Sequence, residues 1–381
     1  MLSLAGIANL IIARLEYGKV SFTTGNSIRF TVFGESHGPA IGGVLDGLPS
    51  GFEINTEEIA KWMDRRRPGQ SEITTRRSEP DTVKIISGVT DGYTNGGPVA
   101  FYIENSDVMS EHYSELEYKP RPGHADITMY EKFGKHRPYA GGGFASGRLT
   151  APIVAAGSIC MQVLFTHGVS IISYIDRIGD VFLENAPACD QDYPYTFKTR
   201  MPDADVDTRA HAAIIRAMGE GDSLGSSIQT LVTGIGPGVG EPFFNSVESE
   251  IAKMMFSIPG IKGVEFGKGF GFSASSGSNV KDEMYVEDGS ICFSANNNGG
   301  VLGGISNGMP ITFRVAVKPT SSIRKEENTV DLRSMTNSTI RIQGRHDPCI
   351  GIRALPVVQT STAIVLLDLL LAGGYLGRIH S

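Results

Sequence analysis

The sequence predicts an α+β protein, a β-α-β sandwich in which helices pack between two antiparallel sheets. Three observations lead there. Short alternating runs closed by glycine turns, such as SIRFTVF at 27–33, read as antiparallel strands. The stretch 148–168 is rich in small and apolar residues and reads as a buried helix, and 354–372 is apolar almost all round, a helix that must be fully buried. Finally, the chain repeats itself. EIAKWMDRRRPG at 58–69 is echoed by EIAKMMFSIPG at 250–260, and GVTDGYTNGGPVAF at 88–101 by GVLGGISNGMPITF at 300–313. The second pair holds a constant offset of 212, with Gly88/Gly300, Val89/Val301, Gly92/Gly304, Asn95/Asn307, Gly96/Gly308, Pro98/Pro310 and Phe101/Phe313 identical. An internal duplication follows, each unit with a helix and a glycine-turned sheet. Two sheets and several buried helices stack as layers. No doubly wound strand–helix alternation occurs, and the Gly234–Gly240 run has the wrong spacing for a nucleotide loop.

Taken in order, residues 1–21 form an N-terminal extension and 22–381 a single domain. The alternating pattern starts near Phe22, and initiation at Val20 is one expectation for the extension. MLSLAGIANLIIARL has no basic leader or small-residue cleavage site and is too short for a membrane span. Strands at 27–33 and 41–47 flank a glycine turn. Asn55 or Thr56 caps the helix TEEIAKWMDRR, with Glu57 and Glu58 in its first turn, and Pro68-Gly69 stops it. VKIISGV and VAFYIEN form a hairpin around Asn95-Gly96. A further, amphipathic helix spans 207–223.

Composition narrows the function. The 381 residues carry a net charge of −7, which argues against nucleic acid as partner. Arginine is nevertheless dense locally, as at Arg65-Arg66-Arg67, which suits a small anionic ligand. Glycine numbers 47, against an average usage of about 7%. These glycines cluster between apolar segments, as turns and close backbone approaches require. Cys160, Cys189, Cys292 and Cys349 are widely spaced, giving neither a metal site nor a disulfide framework and pointing to the cytoplasm.

Five clusters carry candidate chemistry. FGESHG (33–38) ends a strand and presents His37 beside Ser36. KPRPGHAD (119–126) fixes Arg121, His124 and Asp126 on a proline-bound loop, where Asp126 either serves the site or caps the next helix. GGGFASGRLTA (141–151) runs amide-rich backbone, Ser146 and Arg148 into a helix start. KPTSSIRK (318–325) offers Lys318 and hydroxyls to a phosphate or a flavin tail. QGRHDPCIGIR (343–353) sets Arg345, His346 and Asp347 side by side. Two histidines, an aspartate, arginines and amide-rich turns favour acid–base chemistry on a phosphorylated or carboxylated small molecule.

The ordered motifs FGESHG, DRRRPG, RPGHAD, GGGxxSGR, GGISNG, KPTSSI and GRHDPC resemble the chorismate synthase family over roughly residues 22–375. The resemblance implies a β-α-β sandwich and a homotetramer. It implies conversion of 5-enolpyruvylshikimate 3-phosphate to chorismate and phosphate, an anti-1,4-elimination that needs reduced FMN without net redox change. By motif, His37 protonates the reduced flavin near N1, His124 assists the departing phosphate, and Asp347 helps flavin N5 act in removing the C6 proton, with Ser36 and Ser146 in support. Flavin contacts fall to Phe144, Ala145, Ser146, Pro259, Gly260, Gly303, Lys318, Pro319, Thr320, Ser321, Ser322 and Arg345. Arg66, Arg121 and Arg148 fall to the substrate. A flavin reductase and a non-catalytic flavin- or anion-binding homologue are the alternatives. The chain departs from the common family pattern at Glu72, Ala140, Phe144 and Leu149, which lowers positive charge near the expected site. Glu72 also weakens the case for NADPH as a built-in reductant.

Overall fold

The computed structural model describes residues 21–74, 80–106, 115–342 and 346–376. Arg345 and residues 1–20 lie outside the described residues. Two five-stranded antiparallel sheets form the outer layers. In the first the order is Thr23–Thr24, Arg29–Gly34, Ala40–Asp46, Val99–Glu104, Lys84–Ser87. In the second it is Val181–Phe182, Ser170–Ile178, Ser226–Thr233, Ile311–Val317, Ile261–Phe266.

Among the described residues six α-helices accompany the sheets: α1 (Thr56–Arg66), α2 (Asp126–Phe133), α3 (Thr150–Thr166), α4 (Ala204–Gly219), α5 (Val247–Ser257) and α6 (Gly351–Ala372). Asn55 is the cap of α1, its side-chain oxygen accepting from the amides of Glu57 and Glu58 at 2.9 and 3.2 Å. Helices α3 and α6 are the filling of the sandwich: α3 packs on the first sheet, α6 on the second, and the two on each other. Gly147–Thr166, which is α3 with the turn before it, and α6 are each long and apolar enough to cross a membrane, but 78% and 94% of their apolar windows are buried inside the protein. That is how a core helix differs from a span.

The polar residues within α6 have built-in partners, as burial demands. Gln359 donates to the Ile171 carbonyl at 2.7 Å and accepts from the Tyr195 hydroxyl at 2.9 Å. The Asp368 carboxylate accepts from the amides of Asn26, Ser27 and Ile28. The helices approach closely where α3 has Gly157: a Cβ there would sit 2.3 Å from the Thr360 carbonyl oxygen.

The duplication extends well beyond the two echoed motifs. Four of the five strands of each sheet, all but Thr23–Thr24 and Val181–Phe182, occur in the same chain order and the same spatial order. Helix α5 follows its strand as α1 does, and a two-residue hairpin (Val89–Thr90/Tyr93–Thr94) recurs as Val301–Leu302/Ile305–Ser306. Its bonds recur too. The amides of Asn95 and Asn307 donate to Gly88 and Gly300, both at 3.0 Å. The hydroxyls of Thr94 and Ser306 accept from Phe52 and Val239, both at 2.9 Å. The Gly234–Gly240 run is therefore the second-half counterpart of the 47–52 loop. The second half differs by the insertion that carries α4 and by the exposed hairpin Met284–Glu287/Ser290–Phe293.

Candidate active site

A cavity of about 760 Å³ opens where four helix ends meet, a size that suits a cofactor or small-molecule site. Arg66 and Pro68 come from the end of α1, and Phe256, Ile258, Pro259 and Gly260 from the end of α5. Ser146, Gly147, Arg148 and Thr150 lead into α3, and His346, Asp347, Ile350 and Arg353 into α6. The echoed RRRPG and FSIPG segments thus face one space. One brings charge, the other an apolar wall.

The remaining wall is the 121–128 loop and Lys318–Ser322. The hairpin Glu326–Asp331/Thr336–Arg341 pins the first of these: Thr329 donates to the Pro120 carbonyl at 2.5 Å, and the Leu332 amide to Tyr118 at 2.9 Å. Helix α2 starts at Asp126, but its N-cap, Ala125, makes no side-chain capping bond. Instead the Asp126 carboxylate turns back. It takes Arg121 Nε and Nη2 at 2.7 and 2.8 Å and lies 2.7 Å from His124 Nδ1. Burial pushes this carboxyl up, but bonds from Arg121 and His124 outweigh that and hold it well below the usual carboxylate range. Arg121 Nη2 also lies 3.1 Å from His124 Nδ1. The Asp126 carboxylate can only accept, so at 2.7 Å it takes Nδ1–H, which leaves Nε2 as the other ring nitrogen of a residue that lines the cavity.

The two histidines are separated by the glycine turn. A Cβ on Gly141 would meet His37 Cε1 at 2.0 Å, and one on Gly142 would meet His124 Cε1 at 3.2 Å; both glycines have positive φ, 59° and 84°. Only glycine lets the backbone pass between these rings. His37 is bonded through Nδ1 to Ser36 Oγ at 2.8 Å, and Ser36 also reaches the Gly141 carbonyl at 3.2 Å. Gly141 lines the cavity, whereas His37 and Ser36 stand behind it. The strand end therefore presents its imidazole to the glycine turn rather than to the open space.

Asp347 lines the cavity and is held by Arg353 Nη1 at 2.6 Å; Arg353 Nε donates to the Arg66 carbonyl at 3.1 Å. Thr320 Oγ1 donates to the Asp347 carbonyl oxygen at 2.6 Å, joining this segment to the 318–322 loop. Lys318 donates to the Gly123 carbonyl and to Ser321 Oγ. Burial, then the nearby Lys262 ammonium, lowers the Lys318 pKa, an environment in which an incoming anion relieves repulsion.

Phe144, Ala145, Ser146, Pro259, Gly260, Lys318, Pro319, Thr320, Ser321, Ser322, Arg66, Arg121, Arg148, His124 and Asp347 all line the cavity. Gly303 does not: its φ of 61° serves the two-residue hairpin turn, where the first half has Asp91 at 51°. Glu72 is also elsewhere, bonded to Lys198 at 2.7 Å and His211 at 3.0 Å. Those partners and its own backbone lower its carboxyl to about 2. Its charge therefore gives no reason against NADPH at the cavity. Phe144 packs edge-on against Phe22 and Phe133, with centroids 5.5 and 5.4 Å away, and Leu149 is buried in the core.

Sequence reasoning missed Asp81, Asn105, Lys262 and Arg353. The arginines Arg66 and Arg148 do not simply point at the open space: both reach the buried Asp81, and Arg148 Nε also donates to Asn105 at 3.0 Å. No local spacing signals these partners. A lone aspartate in SEPDTV gives only a loop signature.

The chorismate synthase family model matches residues 28–371. The chorismate synthase of Korarchaeum cryptofilum is 43% identical over 345 residues, covering 90% of this chain and 96% of that protein. That of Methanobrevibacter smithii is 42% identical over 355 residues, covering 93% and 97%. A crystal structure of chorismate synthase superposes with a TM-score of 0.71 at 28% identity, covering 92% of this chain and 93% of its own. Family, relatives and fold agree over the span that contains both sheets, the helix filling and the cavity, and the chain belongs to the chorismate synthase family, lyases of aromatic biosynthesis.

Proposed function

We propose that the cavity converts 5-enolpyruvylshikimate 3-phosphate to chorismate and phosphate by anti-1,4-elimination with reduced FMN. The observation that carries this reading is the meeting of a charged helix end with its apolar repeat in one space. The donor set fits a flavin mononucleotide. Phe256, Ile258, Pro259 and Ile350 offer an apolar wall, while Lys318, Ser321 and the amides of Ala145–Gly147 suit its polar groups. When bound, the reduced flavin supplies the electron-rich ring that lets the elimination proceed without net redox change.

The chain's own residues have separate tasks. Arg121, Arg148 and Arg66 bind a multiply anionic substrate, for which planar guanidinium is suited. His124, oriented through Nδ1 by Asp126, holds a proton at Nε2 for the departing phosphate oxygen. Asp347, oriented by Arg353, assists removal of the proton from C6. His37 and Ser36 brace the 141–143 turn from behind. We further propose a cytoplasmic homotetramer. Phe243 and Phe244, 85% and 89% exposed, and the apolar outer hairpin suit burial against other copies.

An anaerobic assay tests the reading: protein, chemically reduced FMN and the enolpyruvyl substrate must yield chorismate and phosphate in equal amounts. A parallel reaction with oxidised FMN and NADPH asks whether the chain reduces its own flavin. Folded, flavin-loaded protein that releases neither product would overturn the proposal, and NADPH consumption without substrate would favour a flavin reductase.

A further inference from the structure

Asp81 does not line the cavity, yet it touches two residues that do. Its side chain has 0% exposure and lies between Arg66 Nη1, 3.2 Å from Oδ2, and Arg148 Nη1, bonded to Oδ1. Its φ of +50° is unusual for a non-glycine residue, so the backbone is bent to deliver this carboxylate. The guanidinium groups are themselves located: Arg66 Nε donates to Thr150 Oγ1 at 3.3 Å and Arg148 Nε to Asn105 Oδ1 at 3.0 Å. Ion pairs of this kind are often no better for stability than apolar packing, so fold stability alone does not account for the group. What the carboxylate does change is the field at the cavity wall. A ligand anion must compete with Asp81 for the same two cations.

We infer that Asp81 is an internal counter-anion that sets how tightly the arginine wall of the cavity holds a phosphate-bearing ligand. It keeps the Arg66–Arg148 pair oriented and partly neutralised, so that phosphate binds and still leaves. Asp81 is thus a positioning residue, and the inference rests on the cavity accepting phosphate as proposed above. A merely structural role has the opposite sign: its loss would displace the arginines and weaken anion binding.

Calorimetric titration with inorganic phosphate at fixed ionic strength separates the two. The Asp81→Asn protein should bind phosphate about tenfold more tightly than wild type, because one negative charge is removed from between the two guanidinium groups in a weakly solvated space. In turnover, KM and kcat should fall together, as release slows. Unchanged or weakened phosphate binding in Asp81→Asn overturns the inference. If that variant does not fold, Arg66→Met is compared with Asp81→Asn/Arg66→Met, which restores the wild-type local charge. The double variant must bind phosphate at least about threefold more tightly, and equal or weaker binding overturns the inference. Wild-type protein that binds no phosphate would remove both this inference and the functional reading. Phosphate binding without chorismate formation would remove only the functional reading.

Discussion

At the scale of single residues, Asp126 decides what His124 can do. As a carboxylate it only accepts, so the proton on Nδ1 is fixed and Nε2 is presented to the cavity. In Asp126→Asn the amide cannot satisfy Arg121 and orient the imidazole at once. Turnover should fall roughly 100-fold, measured as kcat in the anaerobic assay, with substrate binding less affected. Unchanged kcat would remove His124 from the proton path. The pH dependence has a definite sign. The folded-state pKa of Asp126 lies below its ordinary value, so its stabilisation is present above the unfolded value, about 3.9. It is lost only as pH falls through the lower folded value. Asp126 is therefore ionised throughout the neutral range, and an acid limb in activity near neutrality belongs to another group.

At the scale of elements, the contact between α3 and α6 opposes two general effects at one site. Alanine is better than glycine inside a helix by about 1 kcal/mol, so Gly157→Ala would stabilise an isolated α3. Here the added Cβ would lie 2.3 Å from the Thr360 carbonyl oxygen and 2.7 Å from its Cβ. Overpacking a tight core costs about 1–3 kcal/mol, so steric conflict wins. Denaturant unfolding of Gly157→Ala should give a lower midpoint; a higher one would mean the helices can part freely. The same helices show why much of the fold was legible. Their apolar surface all round has no use except full burial, and the Asn55 cap and hairpin turns are local chemistry. The start of α6 was misjudged by three residues, because Gly351 fits against Ser226 across the core rather than by any local signal. The site was legible where motifs sit beside their partners, as Arg121, His124 and Asp126 do. It was not where partners are far apart in the chain, as with Asp81 and Arg148.

At the scale of the whole molecule, duplication explains the position of the cavity. Equivalent helices end there from both halves, so the charged wall and the apolar wall are variants of one structural piece. The halves must then stay in register, and the closure depends on a contact between chain ends. Asp368, near the end of α6, accepts three backbone amides from 26–28, at the entry to the first sheet. Its removal strands those donors, of which the Ile28 amide is buried and the other two are partly so, and leaves space beside them. Asp368→Ala should cost about 3 kcal/mol, whereas Asp368→Asn, which keeps an acceptor oxygen, should cost less. Asp368 does not line the cavity, so the fraction that remains folded should turn over at the wild-type rate per active site. Thermal unfolding and active-site titration of the two variants check both statements. A variant with normal melting would show that the chain ends close without this carboxylate. One with normal melting but lost turnover would place Asp368 in the communication between the duplicated halves instead.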